Sequence, residues 1–423
     1  ITRQLIAYKS SNLHEKLGML ILDVKGNYIY QVENYAKLYN REKDIIPIQI
    51  SGEFKYNPLD NIALKPTVLA NRLKTILLLF SPNNTESYWI DKSETVLAEA
   101  IKLCRLYNNG YVTFKELHNL ITNHDYYFEK INTLRNKFLK HKFNSDQNYD
   151  LLSALNFFEK EFYSLDSRTF NILKSEITRI TSCFVSDSDV LKTFCPEKSK
   201  NNFPGFQNII ESGKIVILNM NINEYKNLSK IIATYLKLDF QTEVLRRHAT
   251  NSTNIHPVAF ISDEYSEYVS ATDANFFSQS RESKCINIVS TQSYSSLKNT
   301  LKDDNSVKVI IQNLINKLWF RNDDIFTIES VQKQIGKEDK EKISRGISEN
   351  AKETVFSYFT NSLNSKNSSI SETISTYVHS DFIYDTNFFT QSLQNFQALG
   401  FLSDGNQIIP PEKIQLFPYF KNN

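Results

Sequence analysis

Short apolar runs that end on polar residues recur along this chain, separated by stretches whose apolar residues fall at helical spacing. Residues 17–22 form one such run, which ends at Asp23 and is followed by Lys25 and Gly26; the pattern predicts a buried strand, a polar tip and a turn. A second short strand is predicted at 45–50, before the turn-rich segment 54–62. From about 88 to 184 the strand signal gives way to helical spacing. There Thr113 followed by Glu116 predicts a capping box for the helix FKELHNLI. Further helices are read in DYYFEKINTLRNKFLK, YDLLSALNFFEKEF and FNILKSEITRITSCF. Strands return at 214–220, KIVILNM, a continuous apolar run of the kind buried on both faces of a parallel sheet. The amphipathic stretch 224–247 has the length a βαβ crossover needs. VAFISDEY at 258–265, a helix-like ANFFSQSRESK, CINIVSTQS at 285–293, and a helix and final strand within VKVIIQNLINKLWFRNDD complete the alternation. The expected fold is α/β: an open, mostly parallel sheet with helices on both faces and a helical domain inserted in it or attached to it.

In such a sheet ligands bind beyond the carboxyl ends of the strands. The predicted tips carry Asp23, Asn219, Asp263, Glu264 and Gln292. Adjacent acids after an apolar strand suit phosphoryl transfer: Asp263 would hold Mg²⁺ directly or through water, and Glu264 would orient and deprotonate the attacking water. The competing reading of this pair is an exposed helix start, where acids are favoured by the helix dipole. Gln292, in STQS after a buried strand, is read either as a sensor of the terminal phosphate or as a turn-capping amide. Asp23, Lys25 and Gly26 are read either as a cofactor-binding strand end, with Asp23 supporting the metal or the phosphate-loop backbone from the adjacent strand, or as a strand-to-helix turn. Arg281 is read as a residue that reaches a phosphate across a subunit boundary, with a surface salt bridge as its alternative. Arg246 and Arg247 suit the carboxyl end of their helix.

No Gly-rich loop ending in Gly-Lys-Ser or Gly-Lys-Thr occurs, and with only 10 glycines in 423 residues few places are able to host one. The chain, which starts at Ile1, is expected to be a piece entered just after its phosphate loop, and by itself to bind ATP only weakly. Composition changes this picture little. A net charge of +2 gives no global attraction to nucleic acid, so any such contact has to come from a local patch such as 132–142. Cys104, Cys183, Cys195 and Cys285 lack metal-ligand spacing and read as reduced thiols of a cytoplasmic protein. No apolar run approaches the roughly 18–20 residues that cross a bilayer.

Seven segments taken together carry a resemblance. They are GMLILDVKG, YNPLD, ESYWIDKSE, residues 213–247, ISDEYSEYV, FFSQSRESKCINIVSTQS and KLWFRNDD. In this order they resemble the coupling ATPases of conjugation and type IV secretion, relatives of the hexameric DNA pumps. The tail segments 333–354 and 410–420 are similar to the downstream part of the same proteins. The resemblance implies a RecA-like core in two parts, 1–90 and 201–335, an all-helical domain at 91–200 that receives relaxase-bound DNA or effector proteins, and a helical tail region at 336–423 packing on the core. It implies ATP and Mg²⁺ as cofactors, with Asp263 as the metal acid, Glu264 as the water-activating acid, Gln292 as the sensor, and Asp23 to Gly26 as the strand-end motif after the phosphate loop. The implied partners are DNA, a relaxase or secreted protein, the components of a type IV secretion channel and five further copies in a hexamer. The implied place is the cytoplasmic face of the inner membrane. The alternative is a non-catalytic substrate-docking protein with a degenerate core. A metal-dependent phosphatase or nuclease built on Asp263 and Glu264 lacks the clustered His and Asp ligands it would need.

Overall fold

The structure, a computed structural model, describes residues 1–12, 15–80, 87–140, 142–249, 256–349, 354–357, 362–365 and 370–417. Glu86, His141 and residues 350–353 and 418–420, parts of the sequence segments singled out above, lie outside the described residues. The chain divides into two units, 1–292 with 296–314, and 293–295 with 315–423.

The first unit opens with α1 (Thr2–Ala7), β1 (Gly18–Asp23), α2 (Ile29–Leu38) and β2 (Ile45–Ile48). It continues through a helical block, α3 (Pro66–Phe80), α4 (Ser87–Tyr107), α5 (Phe114–Thr122), α6 (His124–Leu139), α7 (Ser145–Phe157), α8 (Ser167–Val185) and α9 (Ser188–Phe194). Then come α10 (Phe206–Glu211), β3 (Ile215–Asn219), α11 (Ile222–Ala249), β4 (Val258–Ser262), α12 (Thr272–Gln279), β5 (Cys285–Val289), α13 (Tyr294–Leu301) and α14 (Asp304–Asn313). The five strands form one sheet in the order β2-β3-β1-β4-β5. Every pairing is parallel, with Met19 opposite Ile215, Gly18 opposite Val258 and Val258 opposite Cys285.

Burial explains the order. β1, β3 and β4, the near-continuous apolar runs, are buried along their length, whereas the edge strands β2 and β5 are only partly so. On one face Met19, Ile21, Ile215, Ile217, Ala259 and Ile261 pack with Ile6 of α1 and Ile29 and Val32 of α2. On the other, Phe240 of α11 stacks on Phe260 at 6.2 Å between ring centres and meets Phe206 of α10. The helices therefore lie on both faces, as expected. α11 is longer than the sequence suggested and is interrupted at Lys226, whose φ of 44° and ψ of −119° are not helical.

The helical block occupies the crossover between β2 and β3, two adjacent strands. The capping box at α5 is formed: Thr113 Oγ1 accepts from the Glu116 amide and Glu116 Oε2 accepts from the Thr113 amide at 2.8 Å. Helix starts at Pro66, inside the segment the sequence reading gave to the α/β core. α3 is bound to α4 by Lys74, which reaches Asp91 and Glu94 at 2.7 and 2.9 Å. Arg72 of α3 pairs with Asp239 of α11 at 2.8 Å in a buried setting. Two cations of the basic run at 132–142 are engaged within the block, while Lys140 and Lys142 are exposed. Arg135 pairs with Glu159, and Lys137 donates to the Tyr107 carbonyl at 3.1 Å.

The second unit corrects two expectations. β6 (Lys317–Trp319) is not a further strand of the parallel sheet; it pairs antiparallel with β11 (Gln397–Ser403), which in turn pairs with β12 (Ile408–Gln415). The tail 336–423, expected to be helical, is mostly strand among its described residues. After α15 (Ile325–Ile335), β7 (Lys337–Glu349) pairs antiparallel with β10 (Ile370–Phe382), and β8 (Thr354–Ser357) pairs with β9 (Ser362–Ser365). Ile370, Ile374, Val378 and Phe382 recur every fourth residue, a spacing that satisfies a helix face and a strand face alike. The β-branching of the two Ile and the Val, the aromatic Phe382 and the Thr and Ser between them favour the strand. Trp319, Ile328, Val331, Phe389, Leu393, Leu399 and Phe401 form this unit's own core.

Candidate functional site

The carboxyl ends of β1, β4 and β5 converge on one group of polar side chains. β4 ends in a turn, and Asp263 leaves it exposed, with Oδ1 accepting from Ser290 Oγ at 2.6 Å. Backbone bonds fix this pairing: Asp263 N donates to Leu22 O at 3.0 Å, Ser290 N to Ser262 O at 3.0 Å and Tyr265 N to Ser290 O at 2.7 Å. Glu264 takes a left-handed conformation, φ 44° and ψ 52°, and initiates a short 3-10 turn, Tyr265–Glu267. This conformation costs a residue with a Cβ about 1–2 kcal/mol, so the surrounding bonds have to enforce it. Its carboxylate faces two strand tips at once. Lys25 Nζ stands 3.8 Å from Oε1, and Gln292 Nε2 donates to Oε2 at 3.5 Å.

The residues expected at the site divide accordingly. Lys25, Asp263, Glu264 and Gln292 are brought together. Asp23 lies beside them but is buried, and its oxygens accept from the amides of Lys25, Asn27 and Tyr28 at 2.8–3.0 Å. It builds the strand-to-helix turn that leads into α2. Gly26 serves the same turn: its φ is +69°, and a Cβ there would lie 3.0 Å from the Asn221 amide nitrogen. Gly26→Ala is expected to lower the unfolding free energy by at least about 1 kcal/mol, since it meets both the left-handed penalty and backbone. Urea denaturation of the chain measures this, and an unchanged midpoint would contradict it. Asn219 is occupied elsewhere, donating to Gln49 Oε1 at 2.7 Å.

Arg281 is not with the acids of its own chain. It is exposed in the turn between α12 and β5, where Lys284 N donates to its carbonyl, at the amino ends of β4 and β5. Ser290 was missed by sequence reasoning. Its signal was available in the register, because Ser262 pairs with Val289 and so sets the next residues, Asp263 and Ser290, side by side.

The donor set suits a small divalent cation carried by phosphates. Asp263, Glu264 and Ser290 offer only oxygen, the preference of Mg²⁺. Among the described residues no group of three or more His, Cys, Asp or Glu side chains is placed to cage a metal by itself. One or two carboxylates with the remaining positions left to phosphate and water is the arrangement Mg²⁺ adopts in nucleotide sites.

Comparison with known proteins bears on the whole architecture. Residues 257–377, which include Asp263, Glu264, Arg281 and Gln292, match the family model described as the TraM recognition site of TraD and TraG. A structure of the bacterial conjugative coupling protein TrwBdeltaN70, in an unbound form, is similar over 99% of this chain and 92% of its own, with a TM-score of 0.57 at 10% identity. The chain has the fold of a conjugative coupling protein. Two further TrwB structures agree. One, in complex with ADP and Mg²⁺, has a TM-score of 0.55 at 10% identity over 94% of this chain and 84% of that one. The other, with a non-hydrolysable ATP analogue, has a TM-score of 0.55 at 10% identity over 96% and 86%. No curated protein sequence matches the chain. The resemblance to coupling proteins read from the seven sequence segments, and the parallel α/β core, are borne out. No helix among the described residues is long and apolar enough to cross a membrane.

Proposed function

We propose that this chain is the core of an ATP-driven coupling protein that recruits DNA or a nucleoprotein and moves it towards a type IV secretion channel. The observation that carries the reading is the convergence of Lys25, Asp263, Glu264 and Gln292 beyond the strand ends of a coupling-protein fold. Bound ATP with Mg²⁺ would supply the transferable phosphoryl group and the charge that polarises it. Asp263 would hold the metal side of that complex, kept in place by Ser290. Glu264 would orient the attacking water and accept its proton. Gln292, whose amide already reaches Glu264, would register whether the terminal phosphate is present, and Lys25 would offset the negative charge between the acids and the phosphates. Arg281, exposed at the other end of the strands, would act only on a neighbouring copy, which fits assembly as a ring.

The helical block carries none of the strand-tip chemistry and is proposed as the domain that receives relaxase-bound DNA or an effector protein; the match to the TraM recognition site lies outside it, at 257–377. A motor of this class grips the nucleic-acid backbone, so its DNA affinity should fall steeply with salt. The gene-length protein should hydrolyse ATP in a Mg²⁺-dependent, DNA-stimulated manner, and deleting its gene from the conjugative element should abolish transfer. Transfer that survives the deletion would overturn the proposal. Transfer that needs the protein while purified gene-length protein shows no ATPase would favour the docking alternative. An upstream reading frame that encodes a Gly-rich loop ending in Gly-Lys-Ser or Gly-Lys-Thr would favour the motor reading.

A further inference from the structure

Behind the acid loop lies a buried ion pair. Lys237 on α11 and Asp273 in the first turn of α12 are both fully buried, with Nζ 2.6 Å from Oδ2. The ammonium also donates to Ser270 Oγ at 3.0 Å and to the carbonyl of Tyr268. The carboxylate accepts from Gln241 Nε2 at 2.9 Å, from the Ser270 amide at 3.0 Å and from the Tyr265 hydroxyl at 2.6 Å. All three ammonium protons and both carboxylate oxygens are engaged, which is the condition for two charges to persist out of water. An apolar pair of similar volume is often as stable or more so, which leaves orientation as the physical role for this one.

What it orients is the residue next to Glu264. Tyr265 is held from both sides: its amide donates to Ser290 O just past β5, and its buried hydroxyl donates to Asp273. Burial first, and then the neighbouring Asp273, hold the phenol well above its ordinary range, so it remains a donor. With Tyr265 pinned at both ends, the chain between the end of β4 and this point has little choice but the left-handed turn at Glu264.

We propose that Lys237, Asp273 and Tyr265 are positioning residues that fix the Glu264 carboxylate by tying the acid loop to α11. The proposal rests on Glu264 being the water-activating base. In the gene-length protein, Tyr265→Phe removes one hydroxyl and keeps the ring. It is expected to lower kcat for ATP about 10- to 100-fold, the range a misplaced catalytic group produces, with KM and melting temperature near wild type. The double variant Lys237→Met/Asp273→Leu, which exchanges the pair for apolar bulk, should remain folded and show a similar loss. Arg72→Met serves as the control for stability alone, since it breaks another buried ion pair on the same helix, Arg72 with Asp239. It should lower the melting temperature and leave kcat of the folded protein within about threefold.

Wild-type kcat in Tyr265→Phe, beside a Glu264→Gln variant that is inactive, would overturn the positioning role alone. An equal loss in Arg72→Met would also overturn it, by making the network merely structural. An active Glu264→Gln variant would overturn the base assignment and this proposal with it.

Discussion

Glu264→Gln in the gene-length protein should reduce ATP turnover by about two orders of magnitude or more while leaving ATP binding nearly intact. The substitution preserves the size of the side chain and its contact distance to Gln292 and Lys25, so the loop geometry has no reason to change. It removes the negative charge and the proton-accepting oxygen, and general-base contributions are typically worth 10²–10⁴-fold. KM should therefore stay near wild type while kcat falls, the signature of an interaction made in the transition state rather than in the ground state. Steady-state hydrolysis with a parallel binding titration separates the two quantities. Turnover within a factor of three of wild type would show that Glu264 is not the base, leaving the acids at the end of β4 with a structural or metal-binding role only.

Arg41→Met should be the most destabilising single change in the first unit, costing about 3–5 kcal/mol. Arg41 is 1% exposed and was not singled out by the sequence reading. Its Nε donates to Asp44 at 2.9 Å, and its terminal nitrogens donate to the carbonyls of Ile6 and Leu17 at 3.2 and 3.0 Å and to that of Gly213. Leu17 precedes β1, Gly213 precedes β3 and Asp44 precedes β2, so one guanidinium ties the amino ends of three adjacent strands to α1. Asp44 is shared with Lys16, whose ammonium lies 2.6 Å away. Methionine fills much of the same volume but leaves three carbonyls without this donor and Asp44 without its second cation. Arg41→Lys should recover little, because a point charge cannot reproduce the planar fork that reaches several acceptors at once. Chemical denaturation of the chain measures the loss, and a value below about 1 kcal/mol would show that water replaces the guanidinium at this junction.

Local pattern reads well wherever one short-range rule dominates. The apolar runs of β1, β3 and β4 are visible because strands covered on both faces must be apolar at successive positions. The Thr113 capping box is visible because its two bonds span three residues. The acids at 263 and 264 stand out for the same reason, as polar residues directly after such a run.

The sequence by itself therefore determined the parallel α/β class, the helical insertion and the candidate acids. Tertiary structure decided the matters that depend on residues far apart in the chain. Asp23 turned out to bind three backbone amides, because the turn after β1 folds back over its carboxylate. Arg281 went to the far end of the sheet, because α12 ends at Gln279 and parallel pairing carries β5 back in the direction of β4. The tail became strands, because a four-residue apolar spacing is compatible with either state until a pairing partner, here β7 for β10, is supplied. The supports of the site, Ser290 and the pair of Lys237 and Asp273, depend on contacts between distant segments. Ser290 reaches Asp263 from 27 residues away and Lys237 reaches Asp273 from 36, within hydrogen-bond distance only when the sheet and α11 close on one another.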